Sequence, residues 1–550
     1  MERRDFLTSV GLGGAAAALA GALVDPAQAA AMAIKPGGRM IVTYKSDPGT
    51  LDPAIGYNWQ NWPMMRGLFS RLVTYEPGTT KIVLDAAESY EVSPDGTEHT
   101  FKLRPGLKFA DSSPLLAEDV VYSINRVVDP ATASPGQSFF APIEGYDAMV
   151  AGKAKSLSGV KALDARTVQF KITKPNVVFI QVLAMNFASI VSPKAISAAG
   201  KDVAHHPMGS GPYVMESWTP GNLIVFKRNP HYFIPGVPYL DEVRFELGID
   251  ELTAYFKLLR GEVDLLGDGV PGSQLALVKK NPKYRSMLVI GRPLETSYLT
   301  MNTEMKPFND VRVRRALNMA IDKKAIIQVI NGRGSPANQV LPPAMPGYDK
   351  DYKGYPYDPA DAKKLLAEAG LKDGFETELY AMNSDPNPRI VQTIQAQLAT
   401  IGIKVKLHIL SQAQVIAIAG TPGKAPLVWS GGLAWVDDFP DPSDFFGPIL
   451  GSGSAVKGGW NWSFYKNAKL DKMAAEADGM FKAEQKEERL AIYRKIFRAV
   501  MDDAPWVPMF NQVDYTLHSK AIAGNPANVF SDPGVYPFTY SRMYSVKVPA

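Results

Sequence analysis

The 550-residue chain contains no cysteine. That excludes structural disulfides, thiolate metal sites and a thiol nucleophile, and with them lipid attachment through an N-terminal cysteine. Charge of one sign is also missing. Lys and Arg number 59 against 55 Asp and Glu, a formal net charge of +4 that is too mild over this length for nucleic acid to be the main partner. No G-x-S-x-G elbow, H-E-x-x-H helix or phosphate-binding loop occurs, and the acid pairs Asp437-Asp438 and Asp502-Asp503 are adjacent rather than set across a cleft. No enzyme is expected from these motifs, although a hydrolase assembled from residues distant in sequence stays open at this point. Histidine is scarce. His205-His206 is the only pair and Pro207 follows it, while His99, His231, His408 and His518 are scattered. Neighbouring side chains on a strand face opposite ways, so the pair reads as loop surface and no metal is expected. After the first thirty residues no run approaches the roughly 20 apolar residues of a membrane-spanning helix.

What is present begins with a leader. Arg3-Arg4-Asp5-Phe6-Leu7 precedes an apolar, Gly- and Ala-rich run from Val10 to Val24, and Ala27-Gln28-Ala29 offers a small-x-small cleavage site. Residues 1–29 therefore read as a secretory signal, and the paired arginines before Phe-Leu point to the twin-arginine route, with an ordinary secretory signal as the alternative. The expected product is periplasmic and not lipid-anchored. Gly11-Leu12-Gly13-Gly14-Ala15-Ala16 fits the dinucleotide fingerprint in letters only, because no strand precedes it. No cofactor is expected.

About 520 residues remain, and since a single core seldom grows past roughly 250–300 residues, at least two lobes are expected. The composition is 46% hydrophobic, with 43 Pro and 46 Gly spread along the chain rather than clustered. Short β-rich runs dominate the first half: Arg39 to Tyr44, His99 to Leu103, Thr167 to Ile172, Leu223 to Phe226 and Glu242 to Leu247. The second half alternates helices and strands. Asp358, with Pro359 at the first helical position and Asp361 in the first turn, predicts a helix that stops at Gly370. Another is predicted over 484–503, with Leu490, Tyr493, Ile496, Phe497, Val500 and Met501 forming its core-facing stripe. The fold class is mixed α/β.

Several blocks carry a resemblance. Ser297 to Asp310 runs from an apolar strand through Pro307 and Asn309-Asp310 into the Arg-rich helix VRVRRALNMAIDKKAII. Gly209-Ser210-Gly211-Pro212-Tyr213 is followed by Lys227-Arg228-Asn229-Pro230-His231-Tyr232-Phe233, then by Leu258-Leu259-Arg260-Gly261-Glu262-Val263-Asp264. Trp435-Val436-Asp437-Asp438-Phe439-Pro440-Asp441-Pro442 and Asp502-Asp503-Ala504-Pro505-Trp506-Val507-Pro508 complete the series. In this order the blocks resemble extracellular solute-binding protein family 5, the peptide and nickel receptors of ABC importers. The resemblance implies a two-lobed periplasmic binding protein fold (type II, the large class with an extra subdomain in lobe I). It implies lobe I over 30–292 with an insertion at about 65–195, lobe II over 293–505, and a return to lobe I over 506–550 in which Val507 to Leu517 is a strand. A monomer is expected to hold a small peptide or amine-bearing solute between lobes that close on it, and to deliver it to an inner-membrane ABC permease with cytoplasmic ATPases. A hydrolase, a peptide chaperone or a sensor on the same scaffold is the alternative.

The resemblance also suggests where a ligand would touch. In peptide-binding members the aspartate three positions after the block's tryptophan meets the substrate ammonium; here these are Asp438 and Trp435. The alternative is that Asp438 caps the turn Pro440-Asp441-Pro442-Ser443-Asp444. Leu427 to Trp435 reads as a buried strand leaving its sheet at glycines, and Trp429 alternates with small residues along it. Tyr57, Asn58, Trp59 and Trp62 follow Leu51-Asp52-Pro53-Ala54-Ile55-Gly56 in a polar, loop-like setting where an exposed ring invites a ligand. Dipeptide-binding members carry an arginine for the peptide carboxylate in the loop matching Ala381-Met382-Asn383-Ser384-Asp385-Pro386-Asn387-Pro388. Met382 stands at that position, with Asn383 beside it, so a strict dipeptide receptor is disfavoured. Arg389 lies seven residues on, where the next helix is expected to begin.

Overall fold

The computed structural model describes residues 34–431, 435–525, 529 and 538–547. The leader, its glycine decoy and Gly432 lie outside these residues. The chain forms two compact units, one of 1–291, 479–484 and 515–550, the other of 292–478 and 485–514.

In the first unit, β1 (Arg39–Tyr44) is followed by helix α1 (Asn61–Leu68), and then by β2 (Ala87–Val92), β3 (Glu98–Leu103), helix α2 (Ala117–Val128), β4 (Val160–Ala162) and β5 (Thr167–Lys171). The strands β2 to β5 form a four-stranded antiparallel sheet in the order β2-β3-β5-β4, within the stretch read as an insertion. Phe101, Val168 and Phe170 bury the alternate side chains of this sheet, and the 12-residue helix α2 buries Val120, Ile124, Val127 and Val128 at helical spacing.

Next come β6 (Tyr213–Thr219), β7 (Leu223–Arg228), β8 (Glu242–Leu247) and β9 (Leu265–Leu266), which join β1 in a five-stranded sheet of order β9-β1-β8-β7-β6. Here β1 is parallel to both β8 and β9, because long connections separate them, whereas β6, β7 and β8 form antiparallel neighbours. Met40, Val42 and Tyr44 face a core shared with Phe226, Phe245 and Met65.

The second unit is built on β10 (Glu295–Met301), all seven residues of which are buried. It is followed by helix α3 (Val311–Ala320), β11 (Gly334–Pro336), helix α4 (Pro359–Glu368), β12 (Phe375–Met382), helix α5 (Asn387–Ala399), β13 (Ile403–Leu410), β14 (Leu427–Trp429), β15 (Trp435–Val436), helix α6 (Lys486–Asp503) and β16 (Trp506–Gln512). The sheet runs β11-β16-β10-β14-β12-β13, with β15 pairing to the start of β10. The pair β12 and β13 is parallel, and α5 is the crossover that parallel pairing demands. Its Ile390, Val391, Ile394 and Leu398 fill the core against Leu379 and Ile403.

Both predicted helices form as their end signals require. The Asp358 carboxylate accepts from the Ala360 and Asp361 amides at 3.0 Å, and Pro359 opens α4. The six stripe residues of α6 are all buried.

One expected boundary needs correction. The strand expected to return to the first lobe over Val507 to Leu517 instead divides: β16 pairs antiparallel with β10 inside the second unit, and the chain rejoins the first only from Tyr515. The cause is apolar. Val507, Met509 and Phe510 complete the second unit's core, and the Trp506 ring stacks on Tyr298 with centroids 3.5 Å apart and planes within 2°. Such a ring pair adds about 0.5–1.5 kcal/mol beyond its buried area.

Candidate functional site

In the second unit, β14 ends where Ser430 and Tyr298 exchange hydrogen bonds, the Ser430 amide donating to the Tyr298 carbonyl at 3.0 Å and the Tyr298 amide to Ser430 Oγ at 2.8 Å. Gly431 follows under a close approach. A Cβ there would lie 2.1 Å from Trp429 Nε1 and 2.6 Å from Asn387 Oδ1, so no other residue fits. The chain returns as β15, with Trp435 opposite Thr296 and Val436 opposite Glu295, and the Asp437 amide donates to the Leu294 carbonyl at 3.0 Å.

A turn then brings three carboxyl groups inward. Asp437, Asp438 and Asp444 are 0%, 2% and 1% exposed. Asp444 Oδ2 accepts from the Asp438 amide at 2.9 Å and from Trp435 Nε1 at 3.1 Å, so this one oxygen fixes both the ring and the backbone of the residues beside it. Its other oxygen, Oδ1, is buried and has no hydrogen-bond partner among the described residues. Burial, and next the charges of Asp438 and Asp437, push the Asp444 carboxyl well above the usual carboxylate range, against the pull of the two N–H donors.

The turn is held from outside by a different acid. Asp441 accepts the Ser443 amide at 2.9 Å and receives both terminal nitrogens of Arg489 from α6 at 2.7 and 2.8 Å. Arg489 also reaches Asp478 Oδ1 at 3.2 Å, an oxygen that accepts from Tyr493 at 2.6 Å as well. Thus the guanidinium of this loop is committed to Asp441 and Asp478. Asp441 and Asp444 both accept backbone amides of this turn.

An aromatic row continues from this wall. Trp435 lies 6.2 Å from Trp460, and Trp460 lies 5.6 Å from Trp462. Trp462 belongs to an apolar cluster with Met382, Tyr380 and Val428. Met382 closes β12 and is buried there, while Asn383 is exposed and donates its amide to the Leu410 carbonyl at 2.8 Å. Arg389, seven residues on, is turned to Asp385 in a two-armed pair at 2.8 Å on each arm.

Trp429 is a correction. It is fully buried in the core behind the sheet, its Nε1 donates to Asn387 Oδ1 at 2.9 Å, and its ring packs 6.0 Å from Phe510. Its alternation with small residues reflects the sheet's packing, not a ligand surface. Trp460, Trp462 and Asp444 were not among the sequence candidates. The Trp-x-Trp spacing after Gly458-Gly459 is the signal that marks the first two; Asp444 carries none of its own.

In the first unit, the loop before α1 presents Tyr57 and Trp59. Trp59 is 40% exposed and stands edge-on to Tyr44 at 5.8 Å; Tyr57 is also exposed and packs 5.9 Å from Trp62 and 5.3 Å from Phe187. Asn58 Oδ1 accepts the Gln60 and Asn61 amides at 3.1 and 3.0 Å and so starts the helix. Below them the buried Asp52 takes Arg126 through two bonds of 2.8 and 2.5 Å.

His205 and His206 both turn to Asp202, at 2.6 and 3.1 Å. Among the described residues no group of three His, Asp or Glu side chains could hold a metal ion. Asn461, in the nominal glycosylation sequon, is buried and donates to the Gly451 and Tyr465 carbonyls.

The profile of bacterial extracellular solute-binding proteins, family 5 (middle), matches residues 81–457. The chain belongs to this family. A heme-binding protein A of Haemophilus influenzae is 33% identical over 501 residues, covering 88% of this chain and 87% of the relative. The glutathione-binding protein GsiB of Shigella dysenteriae is 29% identical over 488 residues, 88% of this chain and 91% of the relative. Among solved structures, the ABC transporter-associated periplasmic binding protein DppA of Helicobacter pylori, in complex with the peptide STSA, has a TM-score of 0.78 at 27% identity, covering 93% of this chain and 99% of that one. The fold is therefore that of the two-lobed, mixed α/β solute-binding proteins, and the chain is a binding protein by family. No helix of the described residues is long and apolar enough to cross a membrane.

Proposed function

We propose that this protein is the periplasmic receptor of an ABC importer, capturing a peptide or related amine-bearing solute and handing it unaltered to an inner-membrane permease driven by cytoplasmic ATPases. The observation that carries this reading is the buried acid wall beside Trp435. Three buried carboxyl groups converge there, and Arg489 of α6 serves Asp441 and Asp478. A cationic group on a guest would be favoured beside such a wall. Asp438 is the proposed partner of that ammonium and Trp435, with Trp460 beside it, the aromatic surface under the adjoining part of the solute.

Tyr57 and Trp59 are proposed as the first unit's contribution, and Asn383 as a polar contact beside the apolar Met382. The absence of an arginine at Met382 speaks against a free dipeptide as the preferred cargo and for longer peptides or conjugates. Relatives named for glutathione, heme and a bound peptide support a broad solute class. The paired arginines of the leader support export by the twin-arginine route, and the lack of cysteine supports a product that carries no lipid anchor.

Asp438→Ala removes one charge-assisted contact of about 1.5–3 kcal/mol, so affinity for the solute that copurifies with the protein, identified by mass spectrometry, falls at least about tenfold in calorimetry. The melting temperature should stay nearly unchanged. Wild-type affinity in the variant would remove Asp438 from the site. Conversion of the solute to a product would replace the receptor reading with the hydrolase alternative.

A further inference from the structure

We propose that Asp444 is a neutral carboxylic acid at physiological pH, with its proton on Oδ1, and that it acts as a positioning residue which locks Trp435 and the Asp438 backbone while adding no charge of its own to the wall. The assignment of the proton follows from the donors. Both N–H groups that reach Asp444 land on Oδ2, at 2.9 and 3.1 Å, so that oxygen is the acceptor end of the group. Oδ1 is sealed from solvent with no partner among the described residues. An ionised oxygen in that position is costly, and a proton on it removes the buried charge.

The charged groups next to Asp444 are themselves acids. From the strand and turn that pack on Asp444 come Asp437 and Asp438, both acids and both buried. From its own turn comes Asp441, and from α6 come Arg489 and Tyr493, which with Asp478 form a closed set in which the guanidinium serves two carboxylates. Glu295, on the strand paired with β15, interacts electrostatically with Asp514 rather than with this group. Two like charges beside a buried carboxyl raise its hold on a proton, in the direction burial already sets.

The consequence deepens the receptor reading and rests on it: with Asp444 neutral, the wall presents less negative charge than its three carboxyl groups suggest, which suits a single ammonium on an organic guest better than a divalent ion. An amide is the neutral, isosteric mimic of a protonated acid, and Asp444→Asn still accepts both N–H bonds. A merely structural carboxylate would not behave this way.

The test needs no ligand, so its outcome is independent of whether the receptor reading holds. Infrared difference spectra of wild type minus Asp444→Asn at pH 7 should show one protonated-carboxyl band lost in the variant. In parallel, the melting temperature of the variant should gain on wild type as pH rises from 5 to 8. An unchanged band together with parallel pH profiles would overturn the proposal, placing any such proton on another carboxyl. Should Asp444→Asn not fold, Asp438→Asn serves instead: removal of the neighbouring charge should move one carboxyl step of the infrared titration to lower pH by a unit or more, and an unmoved titration would overturn the proposal equally.

Discussion

Two buried acids, one in each unit, meet burial in opposite ways. In the first unit Asp52 sits beneath the aromatic loop and is answered by the two-armed Arg126, so its charge is matched inside the protein. In the second unit Asp444 is as deeply buried, yet what surrounds it is two further acids. The difference teaches how to tell scaffold from site. A carboxylate that only holds a fold is matched by a cation, whereas a buried carboxyl group set among like charges, with a raised hold on its proton, marks a candidate functional site. The same contrast recurs within the second unit, where Asp441 of the very same turn is paired with Arg489 and is plainly structural.

Breaking the matched pair gives the largest expected effect. Arg126→Ala leaves Asp52 uncompensated, and urea unfolding should lose about 3–5 kcal/mol, the usual cost of stranding one partner of a buried pair. If the loss were below about 1 kcal/mol, Arg126 would not be what makes burial of Asp52 tolerable, and the contrast with Asp444 would fail.

Glu295 sharpens the comparison from the other side. It opens β10, is buried, and its carboxyl is pushed up to about 8, chiefly by desolvation and then by the charge of Asp514, with a weak opposing bond from Ser297 at 3.4 Å. Because the folded form holds the proton more tightly than the unfolded chain, the unfolded state ionises first. Stability is therefore greatest below about pH 4.5 on this group's account and falls as pH rises toward 8. Glu295→Gln should remove that slope and be more stable than wild type at pH 8 by roughly 2–4 kcal/mol, with little difference near pH 4. Chemical denaturation at the two pH values measures it, and equal slopes would show that Glu295 is ionised in the fold.

How much of this was legible beforehand follows a physical line. The strand Arg39–Tyr44 and helix Pro359–Glu368 are fixed by local chemistry, alternation in one and an Asp-Pro cap in the other, and both stand where those signals put them. The family blocks around Ser297 and Trp435 likewise identified the fold and the turn bearing Asp438. Trp506 to Gln512 was assigned to the wrong unit because an apolar strand suits any core, and only the partner β10 decides which. Trp429 was over-read for a related reason: whether a ring faces core or ligand depends on which side of the sheet it leaves, and Asn387, 42 residues away, is what claims it. Asp444 could not be singled out at all. Nothing in Pro-Ser-Asp-Phe distinguishes a capping aspartate from one surrounded by acids, since the surroundings come from the fold.

The smallest effect belongs to the exposed aromatics, and it tests whether the first unit contributes to binding at all. Trp59 is 40% exposed and touches Tyr44 edge-on, so Trp59→Ala should shift the melting temperature little, within about 0.5 kcal/mol of stability. A ring that lies against a guest is worth about 0.5–1.5 kcal/mol beyond its area, and losing it should weaken binding of the copurifying solute severalfold. That combination, unchanged stability with a measurable loss of affinity, is the mark of an aromatic kept at the surface for a ligand. Loss of stability without loss of affinity would instead make Trp59 a cover for the Tyr44 core, leaving the acid wall of the second unit as the sole recognition surface.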